Sequence, residues 1–300
     1  MSYRKLYIIG NGFDLRLGIP SSYGDFKNFL RVSDTTLFGL VEQYIPAGDK
    51  WANLEQALGE IDTDAIVNDL GHFASSYGAD DWSDSGHHDF QYEVERLVEA
   101  LSEQLRAAFA TWIRALPIPG ADRALDKLER LDRDAAYFSF NYTETLTRVY
   151  GVPLENILYV HGYVALPDDK LVLGHAYDPA NRRSLNAIPD IEEQDSRLTQ
   201  VNEILDDYFA QTFKPSAQIL RGVSPRFAWL ADVSDVVILG HSLSEVDEPY
   251  FHALLRAPGP ATAHWTVACR KQDELAAKLE RLVAIGVPVQ QATAKLWDLV

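Results

Sequence analysis

The chain has 300 residues, 47% of them hydrophobic and 24% charged, which excludes disorder, low complexity and collagen-like repeats. Its 27 basic and 44 acidic side chains leave a net charge of −17, a field that repels phosphate backbones and argues against nucleic acid as a partner. The one cysteine, Cys269, excludes an intrachain disulfide and a paired-cysteine metal site, and fits a reducing, cytoplasmic home.

Met1 to Lys5 are followed by only four apolar residues before Gly10, too few for a secretory signal core, so a cytoplasmic location is expected. No stretch approaches the roughly 18 apolar residues of a membrane span, and no membrane partner is expected. Leu6 to Ile9 form a short apolar run that reads as a fully buried strand. Pro20 to Arg133 then separate it from the next strand, a gap far longer than the roughly 30 residues of a simple βαβ unit. This stretch reads as a mostly helical insertion, with a polar loop from Ser75 to Asp89. Gln91 to Arg114 carry apolar residues at spacings of three and four, the stripe of an amphipathic helix.

Further buried-strand runs follow at Ala135–Phe140, Ile157–Val160, Leu171–Leu173 and Val236–Leu239. Trp265–Cys269 is a sixth such run and Val287–Gln290 a weaker seventh. A short helix is expected over Glu144–Tyr150 and a longer one over Ser196–Phe213, with Ser196 as its cap. Another spans Gln272–Ile285 and is ended by Gly286 and Pro288. The pattern predicts an α/β fold with a doubly wound, mostly parallel, Rossmann-like sheet. It is read as a single domain over 1–300, with residues 20–133 inserted in it.

Five places carry side chains suited to chemistry. Gly10-Asn11-Gly12-Phe13-Asp14 follow the first strand, where glycines admit a close ligand and a helix start favours an anion. The run begins like a dinucleotide fingerprint but has Leu15 where the third glycine belongs, so a plain strand–helix turn explains it as well. Asn141, Tyr142 and Thr143 follow the second strand. Asn141 suits orienting a water or a ribose hydroxyl, and the same residues also suit a helix cap.

His161-Gly162, Gly174-His175 and Gly240-His241 each follow an apolar run. In a parallel sheet such ends share one rim, where a histidine serves as a general base. The spacing is not that of a metal site, and no metal is expected. Gly240 to Ser244 come close to a nucleophile elbow around Ser242, but the available acid, Asp247, follows too soon for that fold. The alternative is a polar turn holding a phosphate or ribose. Trp51 to Glu55 read as a core tryptophan beside a solvated glutamate, with a cleft-lining role as the other option.

The motifs Leu6–Asp14, Gly18–Tyr23, Asp25-Phe26, Trp51–Glu55, Phe140–Thr143, Val160–Gly162, Leu173–His175 and Leu239–Leu243, with Asp247 and Tyr250-Phe251, keep a definite order and spacing. In these the chain resembles the AbiH family of bacteriophage abortive-infection proteins. That family in turn remotely resembles the sirtuin-like NAD-binding domains of phage-defence systems. The resemblance implies a phosphate turn at Gly10 and Gly12, a catalytic Asn141, a catalytic His161 and a late nucleotide loop at Gly240 and Ser242. Asn11, Phe13, Asp14, Tyr142, Thr143, Gly174, His175 and His241 are candidate nucleotide contacts beside them.

Two departures matter. Asn11 stands where a small residue usually follows the first glycine, and the sirtuin zinc cysteines are absent. The resemblance therefore implies NAD, or a related small-molecule nucleotide, as ligand or as the substrate of nicotinamide–ribose hydrolysis, rather than deacetylation. A homo-oligomer or an activating partner is compatible with it. The alternatives are a nucleotide sensor without turnover and a serine hydrolase using Ser242.

Overall fold

A computed structural model describes residues 3–74, 89–124, 126–129, 131–166, 170–189 and 194–300. Of the loop expected over Ser75–Asp89, residues 75–88 lie outside the described residues. Among the described residues there are six strands: β1 (Lys5–Ile9), β2 (Ala136–Ser139), β3 (Ile157–Tyr159), β4 (Asp235–Leu239), β5 (His264–Cys269) and β6 (Ala292–Leu296). The α-helices are α1 (Gly12–Arg16), α2 (Tyr23–Ser33), α3 (Thr35–Tyr44), α4 (Leu54–Ala57), α5 (Thr63–Leu70) and α6 (Asp89–Glu99). They continue with α7 (Leu105–Ala115), α8 (Thr145–Arg148), α9 (Ser196–Gln211), α10 (Ser216–Val223), α11 (Glu248–Leu255) and α12 (Leu275–Ala284).

The strands form one sheet in the order β3-β2-β1-β4-β5-β6, and every pairing is parallel. This is the doubly wound Rossmann order. Right-handed crossovers from β1 to β3 and from β4 to β6 put their connections on opposite faces. Helices accordingly cover both sides. That explains the continuous apolar runs: Leu6, Tyr7, Ile8 and Ile9 are all buried, as a strand covered on both faces requires. Ile8 is aligned with Phe138 on one side and Ile238 on the other, and Ile238 with Val267. The winding reverses between β1 and β4, and the crevice beyond their carboxyl ends is where such sheets bind ligands.

The chain forms two compact units. The first is Met1–Ser22, Trp112–Val172 and Pro215–Val300, and holds the whole sheet; the second is Tyr23–Thr111 and Leu173–Lys214. The first has a core of Leu6, Ile8, Phe138, Ile238, Trp265 and Leu282, among others. In the second, α6 packs on α9, burying Val94 and Val98 from one helix and Val201 and Leu205 from the other.

Three expectations need correcting. Leu171–Leu173 form no strand. This stretch is extended chain leading to a single parallel bridge between His175 and Phe213. The last strand is β6 at Ala292–Leu296, not Val287–Gln290, which holds a 3-10 turn instead. Asp195, not Ser196, caps α9, its carboxylate accepting from the Arg197 amide at 2.9 Å. By contrast, α12 does stop before Gly286, whose φ of 115° suits glycine.

Candidate functional site

The turns after β1 and β4 lock onto each other at the switch point. Gly10 N–H donates to Leu239 O at 3.0 Å, and Gly12 N–H to Gly240 O at 2.8 Å. A Cβ on Gly10 would lie 2.5 Å from His241 Cα, and one on Gly12 would lie 2.7 Å from Gly240 O. Gly240 has φ +70°, and a Cβ there would overlap the Phe13 amide nitrogen. Backbone-to-backbone packing thus accounts for these glycines. Phe13 N–H donates to Gly10 O at 2.9 Å, so the Gly12 and Phe13 amides are both already engaged. Asn11 is held by Ser21: its amide donates to Ser21 O at 2.7 Å, and its Oδ1 accepts from the Ser21 hydroxyl at 2.6 Å.

Asp14 is buried behind this turn. Its Oδ2 accepts from the Thr143 hydroxyl at 2.7 Å, and Thr145 lies 3.0 Å beyond Thr143. Burial pushes its carboxyl up to about 6, while Thr143, Thr145 and Asn141 oppose the shift. Asn141 is close enough to act on the charge but makes no well-formed hydrogen bond to it. Among the described residues, Asp14 Oδ1 and Asn141 Nδ2 are both buried without a hydrogen-bond partner. The Asn141 backbone is fixed instead, its amide donating to the buried Ser139 hydroxyl at 3.2 Å.

Two histidines converge on Asp247 at the rim. His241 Nδ1 accepts from the Leu243 amide at 2.9 Å. A neutral ring must then carry its proton on Nε2, which lies 3.3 Å from Asp247 Oδ2. His161 Nε2 lies 3.7 Å from the other carboxylate oxygen. Phe140 packs edge-on against both rings, at 5.2 Å from His161 and 4.3 Å from His241. Tyr142 and Tyr250 also flank His161, so the residues on either side of Asn141 both touch that ring. Tyr142 is anchored by its hydroxyl, which donates to Val172 O at 2.7 Å. Gly162, with φ +94°, lets the chain turn away directly after His161.

A family model described as bacteriophage abortive infection AbiH matches residues 6–269. The chain belongs to the AbiH family. No curated protein matches it. In this AbiH chain the rim gathers Asn141, His161, His241 and Asp247 in the first unit. Gly174 and His175 belong to the second unit, so the expected third rim histidine is not on the sheet. The His175 Nε2 is 3.1 Å from Phe209 O, and burial lowers the pKa of this ring below the ordinary histidine value. Glu55 is not on a solvated face; its Oε2 is 3.2 Å from the buried Lys214 ammonium. Trp51 is fully buried, its indole donating to Glu42 at 2.7 Å. Ser242 is exposed and makes no hydrogen bond to a histidine among the described residues.

From sequence, Asp247 reads as an acid for Ser242 and as part of the family's late motif. Its link to the histidines is signalled by its position alone, six residues past His241 in the same loop. The sequence also leaves the basic residues scattered, and suggests Arg16, Arg182 and Arg183 as the cations nearest a nucleotide. Arg16 instead pairs with Asp298, Arg182 pairs with Asp206, and Arg183 donates to Ala187 O. Among the described residues, no group of three or more His, Cys, Asp and Glu side chains is set to hold a metal ion. No helix among them is long and apolar enough to cross a membrane.

Proposed function

We propose that this abortive-infection protein hydrolyses the nicotinamide–ribose bond of NAD. The observation that carries the reading is the grouping of Asn141, His161 and Asp247 at the carboxyl rim of a Rossmann sheet. The glycosidic bond breaks with its electron pair leaving on the nicotinamide, which departs neutral. Water adds to the ribose C1′ and gives up a proton to His161. Asn141 orients that water or a ribose hydroxyl through its amide nitrogen, which makes no well-formed hydrogen bond among the described residues. Asp247, against both histidines, stabilises the imidazolium that forms. His241, fixed by the Leu243 amide, holds Asp247 in turn.

The test follows nicotinamide release from NAD. His161→Ala and Asn141→Ala should each lower the rate by about 10²–10⁴-fold, the usual worth of a general base or a water-orienting group. Turnover unchanged in His161→Ala would end the hydrolytic reading. If NAD raises the melting temperature of the wild type without being consumed, the rim is a nucleotide sensor instead.

A further inference from the structure

Two cations cap backbone carbonyls at the switch point. Arg270, directly after β5, is exposed, and its guanidinium donates to Gly12 O at 2.8 Å. Lys278 on α12 is half-buried, and its ammonium donates to His241 O at 3.1 Å and to Ser242 O at 2.7 Å. Neither forms an ion pair among the described residues. Glu274 is close by: its carboxylate accepts from the Arg270 backbone amide at 3.0 Å, and its charge acts on the Lys278 ammonium. The carbonyls they cap belong to the two turns that lock together, through Gly12 N–H on Gly240 O. The carbonyls position both groups but carry no net charge of their own. Guanidinium has five donors and ammonium three, so each keeps donors to spare. Ser242, whose carbonyl Lys278 caps, is exposed.

We infer that Arg270, Lys278 and Ser242 form a diphosphate-binding subsite, which takes the pyrophosphate of a dinucleotide. This deepens the NAD reading, and it rests on that reading for the rest of the ligand. It supplies the positive charge that the turn amides cannot, since the Gly12 and Phe13 amides are spent on the fold. Charge-assisted bonds from an arginine and a lysine are a usual way to hold such an anion.

The test measures binding of inorganic pyrophosphate and of ADP-ribose by calorimetry. The proteins are the wild type, Arg270→Gln, Lys278→Met and His161→Ala. Arg270→Gln and Lys278→Met should each weaken both ligands about tenfold or more, the loss expected for one charge-assisted contact. His161→Ala should bind pyrophosphate as the wild type does. Wild-type affinity for either ligand in a folded Arg270→Gln or Lys278→Met protein would overturn the inference, as would failure of the wild type to bind pyrophosphate. Should either variant not fold, amine labelling of the wild type decides. Pyrophosphate should protect Lys278 but not the exposed Lys50, and equal labelling of Lys278 with and without it overturns the proposal. Pyrophosphate binding with no NAD turnover sinks the hydrolytic reading alone. Turnover with KM unchanged in both variants sinks the subsite alone.

Discussion

Asp14 shows what one buried carboxyl does to a fold. Burial raises it to about 6 from 3.8, so the folded chain binds this proton more tightly than the unfolded chain does. The stabilisation from holding the proton is complete below the unfolded value and is lost as pH rises through about 6. Between about pH 5 and about pH 7 the wild type should lose on the order of 1 kcal/mol through this group. Asp14→Asn keeps a neutral side chain of the same shape and can still meet the Thr143 hydroxyl. Its melting temperature should therefore fall less over that interval. Melting curves that move in parallel for the two proteins would show that Asp14 does not titrate there. The residue was legible in the sequence as part of the turn after β1. Its burial was not, because Thr143 and Thr145 reach it from a segment far along the chain.

At the scale of elements, the two glycine turns test packing against ligand approach. An alanine at Gly240 meets both a left-handed backbone and the Phe13 amide, with no flexible side chain to yield. Gly240→Ala should cost about 2–4 kcal/mol in thermal denaturation, with no ligand present. Gly39, exposed within α3, has nothing within 4 Å of where a methyl would sit, so Gly39→Ala should stabilise by about 1 kcal/mol. Equal effects of the two substitutions would mean that the turns are not locked as described. The strands were legible where both faces are covered, because β1, β2, β4 and β5 then read as unbroken apolar runs. β6 was misplaced because it is an edge strand, half-exposed, and carries Ala292, Thr293, Ala294 and Lys295. Leu171–Leu173 mislead for the opposite reason: Leu171 and Leu173 are buried, yet the segment joins no strand ladder among the described residues, its Val172 amide alone donating to His161 O at 2.8 Å. At the rim, strand ends announced His161 and His241. Arg270 and Lys278 were invisible, since a strand end and a helix face meet there only after the sheet is wound.

At the scale of the whole molecule, sequence order conceals how the second unit is assembled. Nothing in Leu173–Lys214 signals that it joins Tyr23–Thr111, because hydrophobic periodicity reports that a face is buried but not against what. In α9, Val201, Leu205 and Tyr208 are all fully buried, and α6 is the helix it packs on most extensively. A fragment of residues 23–111 alone would expose the α6 surface that α9 covers, and small domains tolerate such losses poorly. Joining residues 23–111 to 173–214 through a flexible linker restores that cover at a loop-closure cost that grows only slowly with linker length. Circular dichroism should therefore show a cooperative thermal transition for the joined chain, and a non-cooperative one for 23–111 alone. Replacing Leu205 by Asp in the joined chain should abolish the transition, since it buries an unpaired charge in the α6–α9 contact. A cooperative transition in 23–111 by itself would mean that Leu173–Lys214 decorates a unit already complete.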